Sequence, residues 1–207
     1  IINCLKDTQV KHIIWSTLED TRDYNDNIKY LGDEYKVPHF DEKGKVSKFL
    51  KNLDIKSTHL YTSFFNENLT GMMKLKKDDD GIRRLVIPMG NKPLPIVALN
   101  DIGQMVKKII KQKLYGDIGV ASDHLTCKEI TSILSDVIGE PVEHVDVDHE
   151  TYRNFGFPGC KDLGNMFEFK YVHNQSFCKK RNMELVNQLI KPIHFKEWCK
   201  QNKDKLI

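Results

Sequence analysis

The chain has 207 residues, 40% of them hydrophobic and 29% charged, enough for a globular domain to bury a core without a disulfide or metal staple. Lys+Arg 32 against Asp+Glu 29 leaves a net charge of +3, too even a balance for a chain built around a nucleic acid backbone. No apolar run reaches membrane-spanning length.

The first ten residues carry neither the basic region nor the cleavage site of a signal peptide. Residues 1–9 read as the tail of a helix, and the chain opens on Ile, not Met. A C-terminal piece of a longer or processed protein is therefore expected. The residues His12 to Ser16 form a short, branched apolar run that reads as a buried strand. Residues 17–37 are polar and rich in Asp and Asn, and such a long loop is often functional or mobile. Pro38 closes it. A helix is expected over residues 39–53, with Val46, Phe49, Leu50 and Leu53 on its inner face.

Residues 58–62 and 84–88 read as strands, separated by an exposed Lys/Asp turn over 74–81. Asn100 or Asp101 is the expected cap of a helix carrying Ile102, Met105, Val106, Ile109 and Ile110. Residues 117–121 follow as a strand. Thr126 and Glu129 have capping-box spacing, ahead of a helix that buries Ile130, Ile133, Leu134, Val137 and Ile138. That helix ends at Gly139, with Pro141 beyond it. Residues 142–147 read as a strand, and 161–169 and 194–206 as helices. Strands alternating with helices give an α/β class with a largely parallel sheet, and the helical last third suggests a smaller C-terminal subdomain.

Five cysteines, an odd count with no C-x-x-C pair, argue against a disulfide framework and a cysteine zinc site, and suit a reducing compartment. His144, Asp146, Asp148 and His149 are metal-ligating types, but their spacing matches no known set and a solvated strand edge suits them better. Ser16 ends a strand, where α/β sheets bind ligands, though serine is also a common turn residue. His39 and Lys43 lie four apart on one helix, and the lysine could hold a phosphate or ribose hydroxyl. The alternative is a solvated helix face. Phe65, Asn66, Glu67 and Asn68 follow a strand; their amide groups could grip a ring amide or simply cap a helix.

Two blocks carry a resemblance. They are His39-Phe40-Asp41-Glu42-Lys43-Gly44, and Gly156-Phe157-Pro158-Gly159 followed by Asp162-Leu163, Asn165-Met166-Phe167 and Phe169. With Phe65 to Leu69 and Asn100 to Gly103, they resemble the NmrA-like branch of the short-chain dehydrogenase/reductase superfamily over nearly the whole chain. The resemblance implies a Rossmann-type NADP(H)-binding domain over residues 1–125 and a smaller mixed α+β lobe for partner or substrate over 126–207, with the chain crossing between them. It makes Lys43, Phe65, Asn66, Glu67 and Asn68 cofactor contacts. The sequence contains no G-x-x-G-x-x-G, so the residues that hold the pyrophosphate are not found in it.

The superfamily's dehydrogenases carry a catalytic Tyr four residues before the lysine and a hydroxyl near Ser16. Here His39 takes the Tyr position. The resemblance then implies a regulatory redox sensor that follows the NADPH/NADP pool through a protein partner, a transcription regulator or metabolic enzyme, in cytoplasm and nucleus. A homodimer stays open; direct nucleic acid and membrane binding are not expected. Two alternatives stand beside it. One is a reductase of quinones or phenolics using Ser16, His39 and Lys43. The other is an interaction module that binds no cofactor.

Overall fold

The computed structural model describes residues 8–75 and 77–207. The helix expected over residues 1–9 falls almost wholly outside them, as does Cys4. Strand β1 (His12–Thr17) leads through a 3-10 turn (Thr21–Asp23) to helix α1 (Pro38–Lys51). Next come β2 (Lys56–Tyr61), β3 (Phe64–Phe65) and a 3-10 turn (Asn66–Thr70). Strands β4 (Arg83–Val86) and β5 (Leu94–Val97), helix α2 (Leu99–Gln112), and strands β6 (Gly116–Gly119) and β7 (Asp123–Leu125) follow. Helix α3 (Cys127–Ile138) and β8 (Val142–Val145) precede a helical run. That run is α4 (His149–Arg153), α5 (Cys160–Val172), α6 (Asn174–Lys180), α7 (Met183–Leu189), α8 (Phe195–Gln201) and α9 (Lys203–Leu206).

Among the described residues the strands form three small sheets, ordered β1-β2-β6, β3-β5-β7 and β4-β8. These strands pair in parallel except β5 with β7. The α/β class therefore stands, with the sheet in pieces. The larger core runs from Ile28 to Leu206 and packs α1, α3 and α5 over the strands. A second apolar cluster joins Leu60 and Ile118 to Met105 and Ile109 of α2 and Val186 of α7.

Several local expectations are corrected. β1 is only half-buried through Trp15, because it is the edge strand of its sheet among the described residues. On α1 the buried face is Phe40, Asp41, Gly44, Ser47 and Leu50; Val46 is half-buried, Phe49 is exposed, and Leu53 lies past the helix, which ends at Lys51. Polar contacts turn that face inward. The buried Asp41 carboxylate accepts from Thr21 N and Oγ1 at 2.7 and 2.6 Å and from Lys36 N and Val37 N at 2.9 and 3.0 Å. These four bonds fold the 17–37 segment onto the start of α1, so it is a pinned strap rather than a free loop. Gly44 completes the fit: a Cβ there would lie 2.6 Å from Asp20 Cβ.

On α2, Ile110 is exposed, and neither Asn100 nor Asp101 caps the helix. The buried Asp101 carboxylate instead accepts from Ile193 N at 2.9 Å. The capping box at Thr126 and the left-handed Gly139 form as the sequence predicts, but Ile133 and Val137 are only partly buried. The short β5 and β7 have no counterpart in the sequence reading; Pro95 and a length of four residues hide β5. Of the described cysteines, Cys127, Cys160, Cys178 and Cys199 are all free.

Candidate functional site

A cleft of about 370 Å³ opens at the carboxyl ends of β1 and β2, where parallel sheets receive ligands. Leu18, just past β1, and Thr62 and Ser63, just past β2, line its sheet side. The first turn of α1 brings His39 and Phe40, and β3 with its 3-10 turn brings Phe65 and Asn68. The facing wall is α5. Its entry turn needs two left-handed residues, supplied by Gly156 (φ +81°) and Gly159 (φ +85°).

The second sequence block explains itself on this wall. Asp162 Oδ2 lies 2.6 Å from His39 Nδ1 and ties the mouth of the cleft across from α5 to α1. Asn165 Nδ2 donates to the carbonyls of Lys29 and Lys36 at 2.8 and 2.7 Å, holding the strap from the other side. Phe167 and Phe169 enter the core.

Of the residues singled out in the sequence, His39, Phe65 and Asn68 meet on this cleft. Lys43, one turn further along α1, is half-buried outside it. Its Nζ donates to the Ser16 carbonyl at 3.1 Å and lies 5.8 Å from the Trp15 ring centroid. Burial lowers the Lys43 pKa from the usual lysine value. Ser16 is brought to Lys43 through its backbone, and its residue is exposed. Asn66 is fully buried, and neither of its amide atoms has a hydrogen-bond partner among the described residues. Glu67 is used elsewhere. Both carboxylate oxygens accept from Leu99 N, at 3.2 and 3.1 Å, and Oε1 also accepts from Trp198 Nε1 at 3.1 Å. It is the cap that α2 lacks from its own residues.

The tempting His/Asp group disperses. His144 Nε2 bonds the Ile87 carbonyl, Asp146 accepts from Gly90 N, and Asp148 caps α4. No group of three metal-ligating side chains occurs among the described residues.

Arg181 and Lys170 are among the buried cations that went unread in the sequence. Arg181 is fully buried; it makes a two-pronged ion pair with Glu19, at 2.8 and 3.1 Å, and bonds the Thr62 carbonyl at 2.9 Å. Burial works against ionising Glu19, but the Arg181 charge and hydrogen bonds prevail and hold its carboxyl below the usual range. Lys170 lines the cleft and is pushed down to about 7, first by burial and then by the charge of Arg181. Its sequence signal was available: Lys170 lies three residues after Phe167 and four after Met166, on a helix face otherwise apolar.

One end of a dinucleotide site fits these residues. Orphaned amide atoms on Asn66 and a buried carboxylate oxygen on Asp162 lack partners among the described residues, and Lys43 follows His39 by one turn of α1. The pyrophosphate end has no glycine loop in this sequence.

The NmrA-like family profile matches residues 1–199. The nitrogen metabolite repression protein nmr of Neurospora crassa is 26% identical over 156 residues, which is 70% of this chain and 31% of that protein. Among solved structures, NmrA, a negative transcriptional regulator in complex with NAD, superposes with a TM-score of 0.72 at 19% identity. That match covers 92% of this chain and 64% of NmrA. The triphenylmethane reductase of Citrobacter sp., complexed with NADP(H), gives a TM-score of 0.66 at 18% identity over 97% of this chain and 68% of its own. At such identities the structural likeness speaks to the fold. This chain spans only part of each relative's length. The profile match takes in both sequence blocks, the strap they pin and the cleft they line, and on it the chain belongs to the NmrA-like family.

Proposed function

We propose that this chain contributes the nicotinamide side of an NADP(H) site in a regulatory, non-catalytic NmrA-like protein. The observation that carries the reading is the His39–Asp162 contact of 2.6 Å at the mouth of the cleft. Superfamily enzymes have a tyrosine proton donor at this position. Here the residue is a histidine, and one ring nitrogen is engaged by the opposite wall. Its role is to couple α1 to α5. Lys43 would hold the ribose, and the amides of Asn66 and Asn68 the carboxamide, beside the Phe65 ring. Glu67 supports the segment from behind, as the α2 cap. When bound, the cofactor supplies a hydride-carrying ring whose charge differs between its two redox forms.

Regulation then follows from linkage. A partner that prefers one arrangement of α1 and α5 is controlled by any ligand that prefers the other. The relatives' description as a negative transcriptional regulator supports a protein partner, in cytoplasm or nucleus. Among the described residues no helix is long and apolar enough to cross a membrane.

The test is a titration of NADPH, NADP+ and NADH into this chain and into a form of it extended at its N-terminus by a strand and a G-x-x-G-x-x-G loop. Fluorescence of Trp15, beside Lys43, reports binding. The expected result is saturable binding to the extended form, NADPH preferred over NADH, weakened about tenfold or more by Lys43→Ala, with no steady NADPH oxidation on added quinones. Absence of binding to both forms at millimolar concentration overturns the cofactor reading and leaves an interaction module. Steady oxidation that His39→Ala abolishes makes the protein a reductase instead.

A further inference from the structure

The inner end of the cleft carries a lysine that no acidic side chain pairs with among the described residues. Lys170 is 4% exposed. Three rings surround its ammonium, with Nζ 5.5 Å from the Phe167 centroid and 5.6 Å from those of Phe40 and Phe177. Its hydrogen-bond partner is Met166 Sδ at 3.3 Å, a weak acceptor. Among the described residues no carboxylate lies within ion-pair distance of it. The charged groups that act on it are Arg181, at the end of α6, and Glu19, on the strap. Both Glu19 oxygens are already taken by Arg181. A protonated Lys170 therefore makes two cations against one anion in this part of the interior.

Buried lysines ordinarily pair, or run their stems outward to water. Lys170 does neither. A structural role does not account for it, because a methionine would fill the same space with no charge to desolvate. What the position offers is a donor at the closed end of an apolar cleft. The side chains grade outward in polarity: Phe40 and Lys170 are nearly inaccessible, whereas the His39 and Asp162 side chains at the mouth are 37% and 26% exposed. An anion is repelled at the Asp162 end and attracted at the Lys170 end, so the site has a polarity as well as a shape.

We propose that Lys170 anchors a binding site for a small, flat, apolar carboxylate, its carboxylate group inward on the ammonium and its ring between Phe40, Phe65 and Phe167. The cleft volume of about 370 Å³ suits a molecule of one or two rings. The site goes beyond dinucleotide binding and does not rest on it, and the test contains no dinucleotide.

The probe is 1-naphthoate, with the neutral 1-naphthamide as its shape control, titrated calorimetrically at about pH 6 and about pH 8. Naphthoate is expected to bind saturably, about tenfold or more tighter than the amide. Lys170→Met removes that preference, so that acid and amide bind alike. At the higher pH the wild type takes up a proton on binding naphthoate, seen as a heat that varies with the buffer's own ionisation heat. Naphthoate is fully ionised at both pH values, so the proton goes to the protein. Equal binding of acid and amide, naphthoate affinity unaltered by Lys170→Met, or binding without proton uptake each overturns the proposal. The proton-uptake measurement needs only the wild type, so it decides the matter even if the variant does not fold.

Discussion

Arg181 and Lys170 are buried cations that share one aromatic neighbour. Arg181 Cζ lies 3.4 Å from the Phe177 centroid and Lys170 Nζ lies 5.6 Å from it. The chain treats them in opposite ways. Arg181 spends its fork on Glu19, the Thr62 carbonyl and the Phe177 carbonyl, and so joins the strap, the end of β2 and α6. Gly119 of β6 allows the chain at Lys180 and Arg181 to come this close, since a Cβ there would run into the Lys180 carbonyl. Lys170 has rings and a thioether. A guanidinium can be fully answered by one carboxylate and two carbonyls, and it then acts as a rivet. An ammonium that meets only rings and a thioether has no anion to answer its charge, so its place in the fold is explained by what it can receive.

The largest effect is expected on the rivet. Arg181→Met strands the Glu19 carboxylate in the interior and frees the Thr62 carbonyl. Urea unfolding should show a loss of about 3–5 kcal/mol, the range for breaking one side of a buried ion pair. Adding Glu19→Gln should restore part of it, because the stranded charge is then gone. A loss below about 1 kcal/mol for Arg181→Met would mean that the two cations do not differ in kind.

Lys170→Met should move stability the other way, upward by about 1–4 kcal/mol, as when a buried charge gives way to a well-packed apolar side chain. The sign of its pH dependence follows from the lysine's titration near 7 in the fold against 10.5 for a free side chain. Between those values the unfolded chain binds more protons, so the wild type gains stability as pH rises through that window. Below it the desolvation penalty is complete. The advantage of Lys170→Met should therefore be greatest at and below pH 7 and shrink toward 10.5. Thermal melts across that range check it. A variant less stable than wild type at low pH would show that Lys170 already has its partner within the fold.

The contrast also marks what the amino-acid sequence could and could not disclose. Local signals were legible: Thr126 and Glu129 specify their capping box, and Gly139 its stop, within one helix. Parallel α/β pairing followed from the alternation of elements. The face of α1 was not legible, because Asp41 and Ser47 point inward toward Thr21 and Thr17, polar partners twenty and thirty residues away. Hydrophobic periodicity counts such residues as surface. Arg181 and Glu19 are 162 residues apart, and neither carries a local mark of burial. At the site, the helix carrying His39 and Lys43 and the segment after β2 were readable. That α5 would bring Asp162 and Lys170 to face them depends on the tertiary fold.

The smallest effect tests the border between scaffold and site. Glu67 sits among the residues that the family resemblance makes cofactor contacts, yet its carboxylate is committed to Leu99 N and Trp198 Nε1. A carboxylate at a helix N-terminus contributes through hydrogen bonds and the helix dipole, together about 1 kcal/mol. Glu67→Gln keeps one acceptor oxygen and the shape, and loses the charge. Denaturant unfolding should register a loss of about 0.5–1 kcal/mol, with a shift in the emission of Trp198, whose indole donor depends on this oxygen. NADPH affinity should change by less than about twofold. Affinity falling about tenfold while stability holds would move Glu67 from the back of the segment to its binding face, and the α2 cap would then be incidental.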